Sequence, residues 1–187
     1  MAFELAASAA IMAVMASATS PAMPAATLEQ FETVLRRHDS ATLALEEWCG
    51  MRGVTDPRIT AQTLATSGEA PPAAMREHLR LADGETFALR NVRLSCGGTV
   101  LSVAWNWYVP ARLTPAMNEA LRVTNTPFGK VVAPLGFKRR PLATVAGPAE
   151  NCPANTISTH QAMLVLPDGR PLAYLVECYT AANLTTR

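Results

Sequence analysis

The chain has 187 residues, 49% of them apolar and 17% charged, which suits one domain of ordinary size. A globule of this length buries roughly 70% of its unfolded surface, so global disorder is excluded. The 16 Lys+Arg and 15 Asp+Glu leave a net charge of +1, without the field that holds a polyanion, and no nucleic-acid partner is expected. The one basic cluster, Lys138, Arg139 and Arg140, reads as a solvated surface.

From Leu5 to Leu28 no residue is charged, and the stretch is mostly Ala, Met, Ser and Val. That pattern is close to the apolar region of an export signal, with Ala16-Ser17-Ala18 or Pro24-Ala25-Ala26 placed to precede a cut. The first four residues contain Glu4 and no Lys or Arg, which is unusual for such a signal. Ala, Ser, Thr and Pro supply too little transfer free energy for a stable membrane span. Residues 1–26 are therefore expected to be a signal peptide and residues 27–187 one domain, periplasmic or secreted.

Thr27 with Gln30 forms a capping-box signature, and Leu28, Phe31, Val34 and Leu35 recur at helical spacing, predicting a helix to about Arg37. Asp39 and Ser40 offer a fresh N-cap for a second helix carrying Leu45 and Trp48, stopped at Gly50. Arg58 to Ala65 reads as a strand, and Pro71 with Asp83-Gly84 brackets a short helix carrying Met75 and Leu79. Thr86–Cys96 and Thr99–Val109 flank Gly97-Gly98, predicting a hairpin. Thr114 caps a helix with Pro115 in its first turn. Thr126 to Gly147 is too broken by Pro and Gly for a long regular element, and Gln161–Leu166 with Leu172–Tyr179 flanks a Pro167-Asp168-Gly169-Arg170 turn, a second hairpin.

Strand alternation puts Arg90 between Ala88 and Val92 on one face, and Glu177 between Leu175 and Tyr179 on another. An ion among carbon-rich neighbours needs a counter-charge, a hydrogen-bonded ligand or escape to solvent. Two readings follow: a structural Arg90–Glu177 pair or snorkelling at a sheet edge, or a ligand pocket. In the pocket, the guanidinium fork suits a carboxylate and the glutamate suits proton transfer or a hydroxyl. His38, His78 and His160 are scattered, and no nucleophile elbow, phosphate loop or paired-His helix occurs. Trp105 and Trp107 face one way and Asn106 and Tyr108 the other, read as core packing.

Several of these segments together resemble the chorismate pyruvate-lyases, in particular exported relatives of that family. The likeness spans about Thr33 to Tyr179 and rests on His38-Asp39-Ser40-Ala41-Thr42 with Trp48-Cys49, on Leu89-Arg90-Asn91-Val92, and on Asn106-Trp107-Tyr108-Val109-Pro110-Ala111-Arg112-Leu113-Thr114. Thr126-Pro127-Phe128-Gly129 and Val176-Glu177 complete it. The resemblance implies an α+β fold, an antiparallel β-sheet with flanking helices, enclosing a pocket for a small aromatic carboxylic acid beneath helical flaps. The same sheet type occurs in ligand-binding domains of some regulators. It further implies that Arg90 and Glu177 meet the ligand and act in catalysis, and that backbone groups at Ala41 and Phe128 line the site. The reaction would eliminate pyruvate from chorismate to leave 4-hydroxybenzoate, in a monomer with no cofactor and no metal; the alternative is a non-catalytic binder using the same pocket. The well-studied lyases are cytoplasmic and feed ubiquinone synthesis, whereas this chain carries an export-like leader and the Asn106-Trp107-Tyr108 variant.

Cys49, Cys96, Cys152 and Cys178 show no zinc-ligand spacing. Four cysteines allow three connectivities, and the sequence alone does not choose among them. The favoured pairing is Cys49 with Cys96 and Cys152 with Cys178, the Cys178 thiol pointing away from the Glu177 face because neighbours in a strand alternate.

Overall fold

The computed structural model describes residues 26–65 and 71–185; apart from Ala26, the expected leader lies outside the described residues. Helix α1 (Leu28–Arg36) begins with the predicted capping box. The Thr27 hydroxyl accepts from the Gln30 N–H at 3.2 Å, and the Gln30 side chain accepts from the Thr27 N–H at 3.0 Å, so donors at the helix start are satisfied reciprocally. Phe31, Val34 and Leu35 of α1 pack with Leu45, Trp48 and Cys49 of α2 (Ala41–Met51). Two expectations fail at α2. Ser40 takes the N-cap position, but its side chain makes no capping hydrogen bond. Gly50 does not stop the helix; the chain turns away at Gly53, whose φ is +85° and whose N–H bonds the Gly50 carbonyl. A glycine inside a helix costs only about 1 kcal/mol, less than burying Trp48 returns, and a left-handed residue is needed only at the exit.

Six antiparallel strands form one sheet in the order β1-β2-β3-β6-β5-β4. They are β1 (Ile59–Thr63), β2 (Ala88–Cys96), β3 (Thr99–Tyr108), β4 (Lys138–Ala146), β5 (Thr156–Val165) and β6 (Pro171–Thr180). The two predicted hairpins are present, β2–β3 turning at Gly97 (φ +57°) and β5–β6 at Gly169 (φ +85°). One sheet face, with Val92, Leu94, Ala104 and Tyr179, meets α1 and α2, and farther along, with Leu164 and Leu175, meets α4 (Pro115–Val123) and α5 (Phe128–Val132). The other face carries Trp105, Trp107, Tyr174 and Cys178 and is covered by Met75 and Leu79 of α3 (Ala73–Leu79). This is an α+β antiparallel sheet with flanking helices. No helix among the described residues is long and apolar enough to cross a membrane.

The segment expected to be a loop departs most from expectation, because α5 and the nine-residue strand β4 both lie within Thr126–Gly147. β4 is an edge strand and every residue except Arg139 is exposed; with no buried face there is no alternation to read. Pro141 sits beside a register shift in the β4–β5 ladder, the edge-and-bulge position where a residue lacking an N–H is tolerated. The cysteines pair as favoured. Cys49–Cys96 ties α2 to the end of β2, and Cys152–Cys178 ties the β4–β5 connection to β6 from the face opposite Glu177. Such bonds form and persist in oxidising compartments outside the cytoplasm.

Candidate functional site

The first turns of α2 and α5 converge over the sheet and enclose a cavity of about 30 Å³. Ser40, Ala41 and Thr42 line it from α2 and its cap, Phe128 and Gly129 from α5, and Asn106, Leu175 and Glu177 from the sheet, with Asp39 and Arg139 at one side. The first N–H groups of a helix have no intrahelical partner and carry the positive end of its dipole. In addition, the Ser40 hydroxyl is buried without a hydrogen-bond partner. The helices touch closely, since a Cβ built on Gly129 would lie 2.4 Å from the Ser40 Oγ. Gly129→Ala is therefore expected to destabilise the fold by about 1–3 kcal/mol through overpacking, and the double change with Ser40→Ala to regain most of that in urea melts. A single variant as stable as the parent would mean that the unpartnered Ser40 hydroxyl swings aside or the two turns separate.

Three of the four expected site residues, Ala41, Phe128 and Glu177, come together at this cavity. Arg90 does not line the cavity; it lies directly across the β2–β3 ladder from Asn106, which does. Arg90 is 4% exposed. Its terminal nitrogens donate to the Thr126 carbonyl at 3.0 Å and the Thr124 carbonyl at 3.1 Å, and its Nε is buried with no partner. It thereby holds the loop that leads into α5. No carboxylate among the described residues pairs with it. Burial pulls its pKa below the ordinary guanidinium value, with Tyr108 nearby opposing.

The structural Arg90–Glu177 pair is not formed. Glu177, 3% exposed, is engaged by the fork of Arg139, whose Nη1 donates to Glu177 Oε1 at 3.2 Å and whose Nη2 donates to Oε2; the Tyr179 hydroxyl donates to Oε2 at 3.0 Å. Burial works against the Arg139 charge, but Glu177, Tyr179 and Asp39 outweigh it and hold the guanidinium above its ordinary pKa. Asp39 accepts from the Arg139 N–H at 2.9 Å and from Lys138 at 2.9 Å, and these bonds outweigh its partial burial and lower its pKa. The basic triplet is thus not a uniform solvated surface. Lys138 and Arg140 are exposed while Arg139 turns inward, because side chains alternate along β4. Ser40, Asn106 and Gly129 line the site without being expected there; all three lie inside the segments that carry the resemblance, and nothing local marks their roles. Among the described residues no group of His, Cys, Asp and Glu is arranged to hold a metal ion.

No family model matches the chain. In fold it is similar to the effector domain of PhnF from Mycobacterium smegmatis, with a TM-score of 0.54 and 15% identity over 79% of this chain and 91% of that one. It is also similar to the ligand-binding domain of a protein described as a GntR-family transcriptional regulator from Bordetella bronchiseptica, with a TM-score of 0.50 and 19% identity over 70% of this chain and 88% of that one. The fold is that of these regulatory ligand-binding domains, the chorismate lyase-like sheet. In sequence, the chain is 34% identical over 175 aligned positions to the "Uncharacterized protein y4mC" of Sinorhizobium fredii (strain NBRC 101917 / NGR234), covering 83% of this chain and 74% of that protein, and it belongs to that protein's family.

Proposed function

We propose that this protein binds a small aromatic carboxylic acid outside the cytoplasm, with the carboxylate held between the first turns of α2 and α5 and Arg90. The observation that carries this reading is the uncompensated charge of Arg90, a buried guanidinium with an unpartnered Nε and no carboxylate among the described residues to balance it. A buried ion is costly without a counter-charge, and an acid ligand supplies one. The unpartnered Ser40 hydroxyl and the backbone at Ala41 and Phe128, all lining the cavity, offer further donors. The cavity of about 30 Å³ has room for little more than water or one carboxylate group, so its walls must spread to hold an aromatic ring. The two disulfides and the charge-free stretch near the N-terminus support export to the periplasm.

The test is calorimetric titration with 4-hydroxybenzoate. Arg90→Ala is expected to weaken binding by about 1.5–3 kcal/mol, the usual size for a hydrogen bond to a charged group, or roughly 10- to 150-fold. Arg90→Lys should recover only part, because a point charge does not reproduce the fork. Unchanged affinity in a folded Arg90→Ala variant would remove the assignment. A second reading, chorismate lyase activity, is favoured by the meeting of Glu177, Ala41 and Phe128 at one cavity as the family resemblance implies. In that case Arg90 and Glu177 are catalytic, Glu177 managing the ring proton as the enolpyruvyl group leaves. Against it stands the engagement of Glu177 by both Arg139 and Tyr179. Incubation with chorismate and chromatography for 4-hydroxybenzoate separates the two: formation above the spontaneous rate establishes the lyase, and saturable binding without it the binder.

A further inference from the structure

On the far side of Arg139 the fold holds a much larger space. The wedge between α1 and the β4–β5 edge of the sheet is a groove of about 660 Å³, within the range of small-molecule sites. Leu28 and Leu35 wall it on one side and Pro141 and Ala143 on the other, and Ser158 and His160 lie along its floor. The floor is internally satisfied: Ser158 Oγ donates to Glu32 at 2.6 Å, and His160 Nε2 lies 3.0 Å from Glu32 and 3.1 Å from Ser158 Oγ. Asp39 and Arg139 line both this groove and the cavity at the helix starts. The Arg139–Glu177 ion pair is therefore part of the wall between them.

We propose that the groove is the vestibule of the acid site and that Arg139 is the specificity residue that selects anions for it. The inference rests on the acid-binding reading of the inner cavity. A guanidinium has five N–H donors, and Glu177 takes one each from Nη1 and Nη2. An incoming carboxylate can bond the remaining donors before Glu177 lets go, so the guanidinium stays paired throughout. A neutral molecule that prised the pair apart would leave two buried ions uncompensated, whereas an acid leaves only Glu177, which keeps the Tyr179 hydroxyl. Arg36 and Arg37, more than half exposed at the groove and paired with Glu32 and Glu47, together with Arg139 outnumber the carboxylates Glu32 and Asp39 that line it, and the exposed strand β4 leaves that side open to solvent. The other way in, between α2 and α5, is narrowed by the close approach of Ser40 to Gly129.

Access is measurable without a known ligand. Ser40→Cys places a near-isosteric thiol in the inner cavity, and Leu164→Cys on its β5 wall is a second reporter; the native cysteines are all in disulfides. Alkylation rates with iodoacetate and with neutral iodoacetamide, each divided by the rate for glutathione, are compared in folded protein. The expected result is a preference for iodoacetate of about tenfold, the lower end of electrostatic selection, lost in Arg139→Leu/Glu177→Leu. Ala143→Trp, on the exposed strand and filling the groove, should slow the reaction severalfold. The proposal is overturned by equal normalised rates, by rates indifferent to Ala143→Trp, which would put the entrance between α2 and α5, or by no labelling of either reporter. Labelling reports access and calorimetry reports residence, so a protein that admits iodoacetate selectively yet does not bind 4-hydroxybenzoate refutes the ligand assignment and leaves the vestibule standing.

Discussion

Arg139→Met is expected to destabilise the protein by about 3–5 kcal/mol, the usual consequence of removing one partner from a buried ion pair. Both side chains are largely out of water, at 11% and 4% exposure, and the variant leaves Glu177 with the Tyr179 hydroxyl alone. The loss comes from the stranded carboxylate rather than from the worth of the pair, which gives the prediction a second arm. Arg139→Met combined with Glu177→Leu should regain most of the stability, since well-packed apolar residues replace buried pairs at little net cost. Chemical denaturation of the three proteins at neutral pH is the measurement. A single variant within about 1 kcal/mol of the parent, the level of a surface pair, would show that water reaches Glu177 in the folded state.

Removing the Cys49–Cys96 bond by Cys→Ala changes at both positions is expected to cost about 4 kcal/mol from chain entropy alone, because it opens a loop spanning 47 residues. The corresponding figure for Cys152–Cys178, with a separation of 26 residues, is about 3.5 kcal/mol. A domain of ordinary stability has about 5–15 kcal/mol in all, so a fully reduced chain would be marginal. The first bond also touches function. Cys49 lies in α2, whose opening residues Ala41 and Thr42 line the cavity, so reduction should weaken acid binding as well as lower the unfolding midpoint. Denaturation with and without reductant, with free thiols counted in each sample, checks this. An unchanged midpoint after complete reduction would contradict it.

The site was partly legible because strand alternation exposes a charge in an apolar context whatever the rest of the molecule does. Arg90 and Glu177 both proved buried, and the alternation that places Glu177 on one face also sends Cys178 to the other, where it packs with Trp105 and Tyr174. Alternation says nothing about partners. Of the readings open for the two charges, the Arg90–Glu177 pair is not formed; Glu177 pairs with Arg139, which belongs to a strand with almost no buried surface and therefore no periodic signal. The second helix is present where expected and differs only at its ends. Ser40 and Gly50 are good capping and stopping residues in isolation, but the left-handed exit falls at Gly53, and the packing of α5 against Ser40 leaves its hydroxyl in a buried cavity.

By itself the sequence determined the helix starts at Thr27 and Thr114, the two hairpins and the inward faces of their strands. These depend on capping groups, turn residues and hydrophobic period, which act over a few positions along the chain. Tertiary structure alone decided the sheet order, the edge position of β4, the partner of Glu177 and the meeting of the α2 and α5 first turns over Asn106. Each of these joins segments far apart in the chain, as Arg139 is joined to Glu177 and Ser40 to Gly129, and such contacts are selected by the packing of the whole core rather than by any local preference.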